Sequence, residues 1–286
     1  MLTLWLIIIN VVLAFGAVSL NSLIILTFIK TSSLREKPSN VLILGLAIAD
    51  LCVGIIAQPL SYIYDISVLK GYFGLQNSIQ IVYFAFSFFL SIVSFLTFTA
   101  ITVDRFLAIH LHLRYQALVT SKRYGVTLAG IWLLGFSMCC LLFQMKNSMA
   151  IVIPILYVIL LVNAIFIFEI SRVIRRHSVQ IHAQQQSVQQ VQSINMPRYK
   201  KSVNTMYYVA GAFVLCYFPF LAMISIVGIR KSGSLSIIRI WLPIFNTLAK
   251  AVSVIDPVIF WWRIKEMRST VKICIRGTGT NMPNIS

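Results

Sequence analysis

Seven long apolar runs constrain the fold of this chain more than any other feature of its sequence. Each is long enough to cross a hydrocarbon layer of about 30 Å as a helix, which takes roughly 20 residues. None alternates apolar and polar residues with a period of two, as the strands of a membrane barrel do. The sequence therefore predicts an all-α membrane protein, a seven-transmembrane helix bundle within residues 4–274. The runs cover residues 4–29, 40–64, 77–109, 123–144, 149–175, 200–229 and 237–261.

The composition agrees with a chain that is largely surrounded by lipid. Of its 286 residues, 59% are hydrophobic and 11% are charged, and the mean hydropathy is +0.88. Soluble domains carry roughly 25% charged residues, so this much apolar surface needs lipid to cover it. The five cysteines have no metal-ligand spacing, and no catalytic triad, metal motif or phosphate loop occurs. We therefore do not expect an enzyme.

The positions of the basic residues predict how the helices are oriented. A net charge of +17 also suits a nucleic-acid binder, so the places of the 24 Lys and Arg residues matter more than their number. Most lie between spans on one side, and cytoplasmic loops are the ones enriched in Lys and Arg. We expect a multi-pass plasma-membrane protein with its N-terminus outside and its C-terminus cytoplasmic, in contact with membrane lipid and not with nucleic acid. The outer side carries Lys70, Lys146, Arg230, Lys231 and Arg239.

Two polar segments follow the fifth and seventh runs. Residues 177–199 are predicted as the third cytoplasmic loop, a flexible or partly helical Gln-rich connector that ends at Pro197. Residues 262–268 alternate apolar and basic side chains, which suits a short amphipathic eighth helix on the membrane surface. Cys274 is a candidate palmitoylation site, with an unmodified thiol as the alternative. Residues 275–286 would be a short cytoplasmic tail.

Short motifs inside the apolar runs stand in a regular order. Each is weak evidence alone, but their order and placement together form a strong pattern. Over about residues 10–274, the chain resembles the rhodopsin-like (class A) family of G-protein-coupled receptors. The motifs are Asn21 in the first run, Asp50 in the second, Asp104-Arg105-Phe106 ending the third, Trp132 in the fourth, Phe213 to Pro219 in the sixth, and Asp256-Pro257 with Phe260 in the seventh.

The resemblance implies a G-protein contact at the cytoplasmic side. Asp104-Arg105-Phe106 is similar to the family's Asp-Arg-Tyr triplet, whose arginine meets the G protein in the active receptor. Tyr199 stands near the position where many members have an acid that restrains this arginine, so the resemblance implies raised basal activity. The basic ends of the fifth and sixth spans would complete the contact. They contribute Arg172, Arg175, Arg176, Lys200 and Lys201.

Two proline motifs resemble the family's switch elements. Cys216 to Pro219 is similar to Cys-Trp-x-Pro, with Tyr217 in place of tryptophan, and Asp256 to Phe260 is similar to Asn-Pro-x-x-Tyr. A proline inside a helix removes a backbone hydrogen bond and creates a kink that can act as a pivot. Kinks that are merely tolerated are the alternative. The expected switch residues are Phe213, Cys216, Tyr217, Pro219, Pro257 and Phe260.

Buried carboxylates in the second and seventh spans predict a polar network in the middle of the membrane. Two such carboxylates cannot both stay charged without a partner. A sodium ion held by oxygen ligands at Asp50 would supply one, and the family is known for such a site. One shared proton or a water cluster is the alternative, and no other metal is expected. If the family fold holds, the residues that converge are Asn21, Asp50, Ser94, Ser253 and Asp256.

The ligand side departs from the family pattern. The disulfide that the resemblance implies is missing, because Gln80 stands near its place and the loop between spans four and five is very short and lacks cysteine. The short loop and the Asp-Pro motif are similar to the melanocortin-like branch, although Gln80 and Phe84 replace the acids that hold basic peptides there. Ser87 replaces the aspartate of amine receptors, which disfavours an amine ligand. The expected pocket residues are Tyr83, Ser87, Tyr217, Asn246 and Lys250.

Lys250 is the one basic residue in the middle of a span, away from both of its ends. It lies two turns before Pro257, where it resembles the opsin lysine that forms a Schiff base with retinal. Because helical side chains lean toward the helix N-terminus, we expect it to point to the ligand side and away from Asp50. Three hypotheses stay open: a solvated residue without a special role, a counter-charge for a carboxylate or phosphate ligand, or an anchor for retinal as a cofactor.

These observations favour a G-protein-coupled receptor that transduces an extracellular small-molecule or peptide signal to heterotrimeric G proteins. One alternative is a retinal-binding photoreceptor that uses Lys250. Another is a transporter whose ion or proton path is lined by Asp50, Asp256 and Lys250, although the internal repeat typical of transporters is not seen. A receptor-like protein without coupling is the third alternative.

Overall fold

Seven long helices make up most of the part of the chain that the structure describes, as the sequence predicted. The computed structural model describes residues 1–111, 113–144, 148–185, 196–229, 235–263 and 268, and no strand occurs in these ranges. Seven helices are long and apolar enough to cross a membrane. They are α1 (Leu2–Lys30), α2 (Asn40–Lys70), α3 (Phe73–Leu111), α4 (Ser121–Gln144), α5 (Ser148–Gln185), α6 (Met196–Ile229) and α7 (Leu235–Arg263), with short helical turns at Ser32–Arg35 and Leu113–Leu118.

The helices extend beyond the apolar runs, because a helix continues until a residue stops it. α2 ends at Gly71, whose φ of 69° is the left-handed conformation that glycine adopts readily at a helix C-terminus. α5 and α6 enter the predicted loop 177–199 from both sides. No glycine or proline interrupts 176–185, and Pro197 lies in the first turn of α6, where its missing N–H has no helical acceptor to lose.

Several predicted features fall outside the residues that the structure describes. The predicted eighth helix at 262–268 is described only at its two ends. Cys274 and the tail 275–286 are not described. Their predicted roles therefore stay predictions.

An aromatic core joins α3 to α6. Phe213 of α6 is 1% exposed, and its ring stacks on that of Phe98 with centroids 4.5 Å apart. Phe95 contacts the same ring at 5.7 Å. Around this core, α3 packs against α2, α4 and α5, while α7 packs against α1 and α6. The outward faces are apolar, as Phe15 at 77% exposure illustrates, which suits contact with lipid.

A π-helical turn interrupts α2 at Val53–Ala57. Pro59 follows after one residue and has no N–H to donate to the carbonyl of Ile55, so the regular α-helical pattern cannot continue there. A π turn absorbs the defect by adding a residue to the turn, and it rotates everything that follows. As a result Gln58 and Ser61 face the interior, where both are buried.

Close approach of α1 to this turn generates a stability prediction. A Cβ atom on Gly54 would lie 3.0 Å from the Ala17 Cβ and 3.2 Å from the Val18 backbone nitrogen, neither of which can rotate away. Gly54→Val should therefore lower the free energy of unfolding by about 1–3 kcal/mol, a typical effect of overpacking. The melting temperature of the purified protein measures this loss. Gly130→Val is the matched control, because nothing lies within 4 Å of a Cβ there, and equal melting temperatures for the two variants would contradict the packing.

Candidate functional site

Five polar side chains meet in the middle of the bundle, from α1, α2, α3 and α7. The Ser253 Oγ donates a hydrogen bond to the Asp50 Oδ1 at 2.9 Å, and the Ser94 Oγ donates to the same atom at 3.4 Å. The Asn21 Nδ2 donates to the backbone carbonyl of Ser253 at 2.9 Å. Asp256 lies near enough to Asp50 for the two charges to repel each other. We call these residues the Asp50 cluster: Asn21, Asp50, Ser94, Ser253 and Asp256.

Several oxygen atoms of the Asp50 cluster lack a hydrogen-bond partner. Both carboxylate oxygens of Asp256, the Asp50 Oδ2 and the Asn21 Oδ1 are buried without one. Buried carboxylates are expensive unless they are paired, protonated or bound to a cation. Carboxylate, amide and hydroxyl oxygens are the ligands that hard cations prefer, whereas softer metals prefer sulfur and nitrogen ligands. The cluster therefore fits a small hard cation such as sodium.

The expected switch residues lie around the aromatic core. The Tyr217 ring stacks on Phe213 with centroids 5.4 Å apart and meets Phe95 edge-on at 5.8 Å. Cys216 and Phe260 are buried in the same core. Pro219 and Pro257 lie inside α6 and α7. Tyr217 was also expected in the pocket, and its ring contacts this core. The other expected pocket residues lie on α3 and α7, nearer the N-terminal ends of these two helices.

Asp104 is held by two tyrosines at the opposite end of α3. The Tyr115 hydroxyl donates to the Asp104 Oδ1 at 2.6 Å, and the Tyr124 hydroxyl donates to the same oxygen. The two hydroxyls are 3.4 Å apart. Burial and the hydrogen bond to Asp104 raise the pKa of Tyr115 to about 12, so its hydroxyl stays protonated and able to donate at neutral pH. We call Asp104, Tyr115 and Tyr124 the Asp104 cluster.

Arg105 makes weak contacts beside this cluster. Its Nε is 3.6 Å from the Asp104 Oδ2, and its Nη2 donates to the Ser39 Oγ at 3.4 Å. Both distances are long for charge-assisted hydrogen bonds. The arginine is thus loosely held and about a quarter exposed. Phe106 faces away, packing on Phe166 with ring centroids 4.9 Å apart.

The other residues predicted for G-protein coupling are described in part. Arg172 is half exposed and pairs with Glu169 one turn earlier on α5, at 3.6 Å. Arg175 is exposed near the same end of α5. The side chains of Arg176, Lys200 and Lys201 lie outside the described residues.

Lys250 lies among polar side chains toward the N-terminal end of the bundle. Its Nζ donates to the Ser61 Oγ at 2.5 Å and lies 4.9 Å from the centroid of the Tyr83 ring. The Asn246 Nδ2 donates to the Tyr83 hydroxyl, also at 2.5 Å. Lys250 and Tyr83 are both at least 90% buried. We call Ser61, Tyr83, Asn246 and Lys250 the Lys250 cluster.

Four residues near these clusters were missed from the sequence. Ser61 contacts Lys250 of α7, Asp65 interacts with it electrostatically, and Gln58 is buried. All three follow the π turn, which the apolar run did not reveal. Gln58 was nonetheless detectable, as an amide inside an apolar run is expensive. Tyr124 gave no signal, since its contact with Asp104 depends on how α4 packs against α3.

Among the described residues, no group of three or more His, Cys, Asp or Glu side chains could hold a metal ion.

A chain of seven apolar spans with a buried carboxylate network and an Asp-Arg pair ending the third helix defines the class of seven-transmembrane receptors. The model of the 7 transmembrane receptor (rhodopsin family) matches residues 20–152. The match covers just under half of the chain, and together with the relatives below it supports a rhodopsin-like (class A) G-protein-coupled receptor.

The relatives include proteins named as melanocortin and histamine receptors. Melanocortin receptor 5 of Ovis aries is 29% identical over 199 residues, which is 66% of this chain and 59% of that receptor. The same receptor of Rattus norvegicus is 29% identical over 283 residues, 94% of this chain and 85% of that one. Histamine H2 receptor of Cavia porcellus is 24% identical over 246 residues, 78% and 66% respectively. None of these three relatives is named as a photopigment. The binding of retinal to Lys250 stays a prediction.

The Asp104 cluster generates a second prediction. Tyr124→Phe removes one donor to a buried carboxylate and should lower the free energy of unfolding by about 1.5–3 kcal/mol. The double variant with Tyr115→Phe should lose more than the sum of the two single losses. Each single variant keeps one donor to the shared oxygen, whereas the double variant leaves that oxygen without a tyrosine donor. Melting temperatures of the single and double variants test this. Tyr72→Phe is the control, as Tyr72 is 55% exposed, and strictly additive losses would contradict a shared acceptor.

Proposed function

We propose that this protein receives an extracellular small-molecule or peptide ligand and activates a heterotrimeric G protein at the cytoplasmic face of the plasma membrane. The observation that carries the proposal is the loosely held Arg105 at one end of α3. The Lys250 cluster lies toward the other end, with Tyr83 about 33 Å away along the helix at 1.5 Å per residue. The family match supports the same division between a ligand side and a coupling side.

The charge distribution supports the proposed orientation. Lys30, Arg35, Arg105 and Arg172 lie at the end of the bundle opposite the N-terminus, where cytoplasmic loops would be. With the N-terminus outside, the Lys250 cluster faces the extracellular side and Arg105 faces the cytoplasm. A ligand and a G protein would thus reach opposite ends of α3.

The aromatic core supplies a mechanical link between the two ends. Tyr217, Phe213 and Phe98 form a continuous stack from α6 to α3. Pro219 lies inside α6 close to this stack and weakens the helix there. A ligand that displaces Tyr217 would therefore tilt the cytoplasmic part of α6 about Pro219. Such a tilt would open the space next to Arg105. The neighbouring Asp104 cluster holds this arginine only indirectly.

We also propose that sodium binds the Asp50 cluster in the inactive state. Asp50, Asp256 and Asn21 would provide its oxygen ligands, since each has a buried oxygen without a partner. A bound cation would supply positive charge and hold α1, α2 and α7 together. One shared proton between Asp50 and Asp256 is the competing explanation.

The third prediction tests the coupling role of Arg105. The purified protein in lipid nanodiscs should accelerate nucleotide exchange on G proteins without agonist, because its arginine is only weakly restrained. Arg105→Ala should reduce the exchange rate to that of empty nanodiscs. Lys70→Ala removes the same charge at the opposite end and should leave the rate unchanged. Exchange that survives in Arg105→Ala would contradict the proposal, and an ion conductance that survives there would favour a transporter.

The fourth prediction concerns the binding of sodium at the Asp50 cluster. Replacing choline with sodium at constant ionic strength should raise the melting temperature of the wild-type protein. The gain is about 1.4 kcal/mol when sodium reaches roughly ten times its Kd. Asp50→Asn and Asp256→Asn should abolish the gain, whereas Asp65→Asn, the same change elsewhere on α2, should keep it. A stability that depends on pH but not on sodium would show that a shared proton is the correct explanation.

A further inference from the structure

Three helices each contribute two polar side chains, one helical turn apart, to the region around Lys250. α2 contributes Gln58 and Ser61, α3 contributes Tyr83 and Ser87, and α7 contributes Asn246 and Lys250. Residues three or four apart share one face of a helix, so each pair points in one direction. Hydrogen bonds from Lys250 to Ser61 and from Asn246 to Tyr83 show that these directions converge.

This region contains hydrogen-bonding atoms that no protein group uses. Gln58 is fully buried, yet neither its Oε1 nor its Nε2 has a partner. The Ser87 Oγ is also buried without one. An unsatisfied buried polar group costs roughly as much as a lost hydrogen bond, so such groups call for an explanation. A ligand that supplies both donors and acceptors would provide one.

The charge of Lys250 is incompletely matched by its neighbours. An ammonium group has three donors, and its direct contacts in the described structure are with two side chains, Ser61 and Tyr83. The Ser61 hydroxyl accepts a hydrogen bond from it, and Tyr83 interacts with it through both its ring face and its hydroxyl. Asp65, one turn further along α2, interacts electrostatically with it but is only half-buried. A cation inside a membrane protein is normally paired with an anion. Among the described residues, however, Lys250 has no carboxylate in direct contact with its Nζ.

We propose that the ligand of this receptor carries an anionic oxygen group, a carboxylate or a phosphate, that binds the Lys250 ammonium. The inference rests on the proposed receptor function and names the chemical class of its ligand. The anionic oxygens accept from Lys250 and Ser61, while Gln58 and Ser87 bind polar groups adjoining the anion. Asp65 repels an additional negative charge on the outer side, which favours ligands with a single anionic group.

The test is a binding screen that does not depend on G-protein coupling. Purified protein in nanodiscs is mixed with a library in which every monocarboxylate and phosphate monoester is paired with its neutral amide or alcohol. Binding is detected as a rise in melting temperature, and affinities are then determined by calorimetry. We expect binders among the anionic members only, and the two arms of the library distinguish carboxylate from phosphate.

Variants with opposite expected effects connect the binding to Lys250. Lys250→Gln should weaken binding of an anionic compound by at least about tenfold, as loss of a buried charge-assisted contact does. Lys250→Arg should restore part of it, and Asp65→Asn should tighten it because a repulsive charge is removed. Asn10→Ala serves as a control: Asn10 bonds Thr247, one residue beyond Asn246 on α7, and makes no described contact with Lys250.

Three results would overturn the ligand class. They are binders that are neutral or cationic, anionic binders that Lys250→Gln leaves unchanged, and a visible band with 11-cis-retinal that borohydride abolishes. No binder at all, together with nucleotide exchange that depends on Arg105, would also reject an anionic ligand while leaving the receptor function intact. If that exchange is absent as well, the proposed function itself fails.

Discussion

The carboxylate of Asp50 determines much of what surrounds it. A buried acid in the middle of a membrane needs hydrogen-bond donors or a positive charge. Ser94 and Ser253 supply two donors from α3 and α7, and Asn21 ties α1 to the backbone beside Ser253. Asp256 adds a second acid that these donors do not satisfy. The helices are thus joined at their centre by a network that is incomplete without a cation or a proton.

An incomplete network is a reasonable basis for a receptor with two states. Asp256 immediately precedes Pro257, so a change in its charge acts where α7 is already weakened. Phe260, one turn further, is packed in the same core as Phe213. Lys250 lies less than two turns before Asp256 on the same helix, so a ligand bound there would act close to it. The three clusters are therefore linked through α7 and α3 by packed side chains, without requiring a separate pathway.

The sequence predicted the parts of this arrangement that depend on local properties. Apolar length predicted seven helices, and the expense of polar groups in lipid pointed to Asp50, Asp256 and Lys250. The sequence did not reveal the π turn at Val53–Ala57. The turn arises because Pro59 cannot donate a backbone hydrogen bond, and its effect is to change which of the following residues face inward. Gln58, Ser61 and Asp65 were missed for that reason. Tyr124 was missed because only the packing of α4 brings it to Asp104.

If the chain activates a G protein as proposed, α6 moves relative to its neighbouring helices when the G protein binds. Spin labels at Val126 of α4 and Tyr207 of α6, both exposed, would report this movement after replacement of the native cysteines. Double electron–electron resonance in nanodiscs should show a longer distance when nucleotide-free G protein is added, and Arg105→Ala should prevent the change. The same distance distribution with and without G protein would contradict the proposed movement of α6.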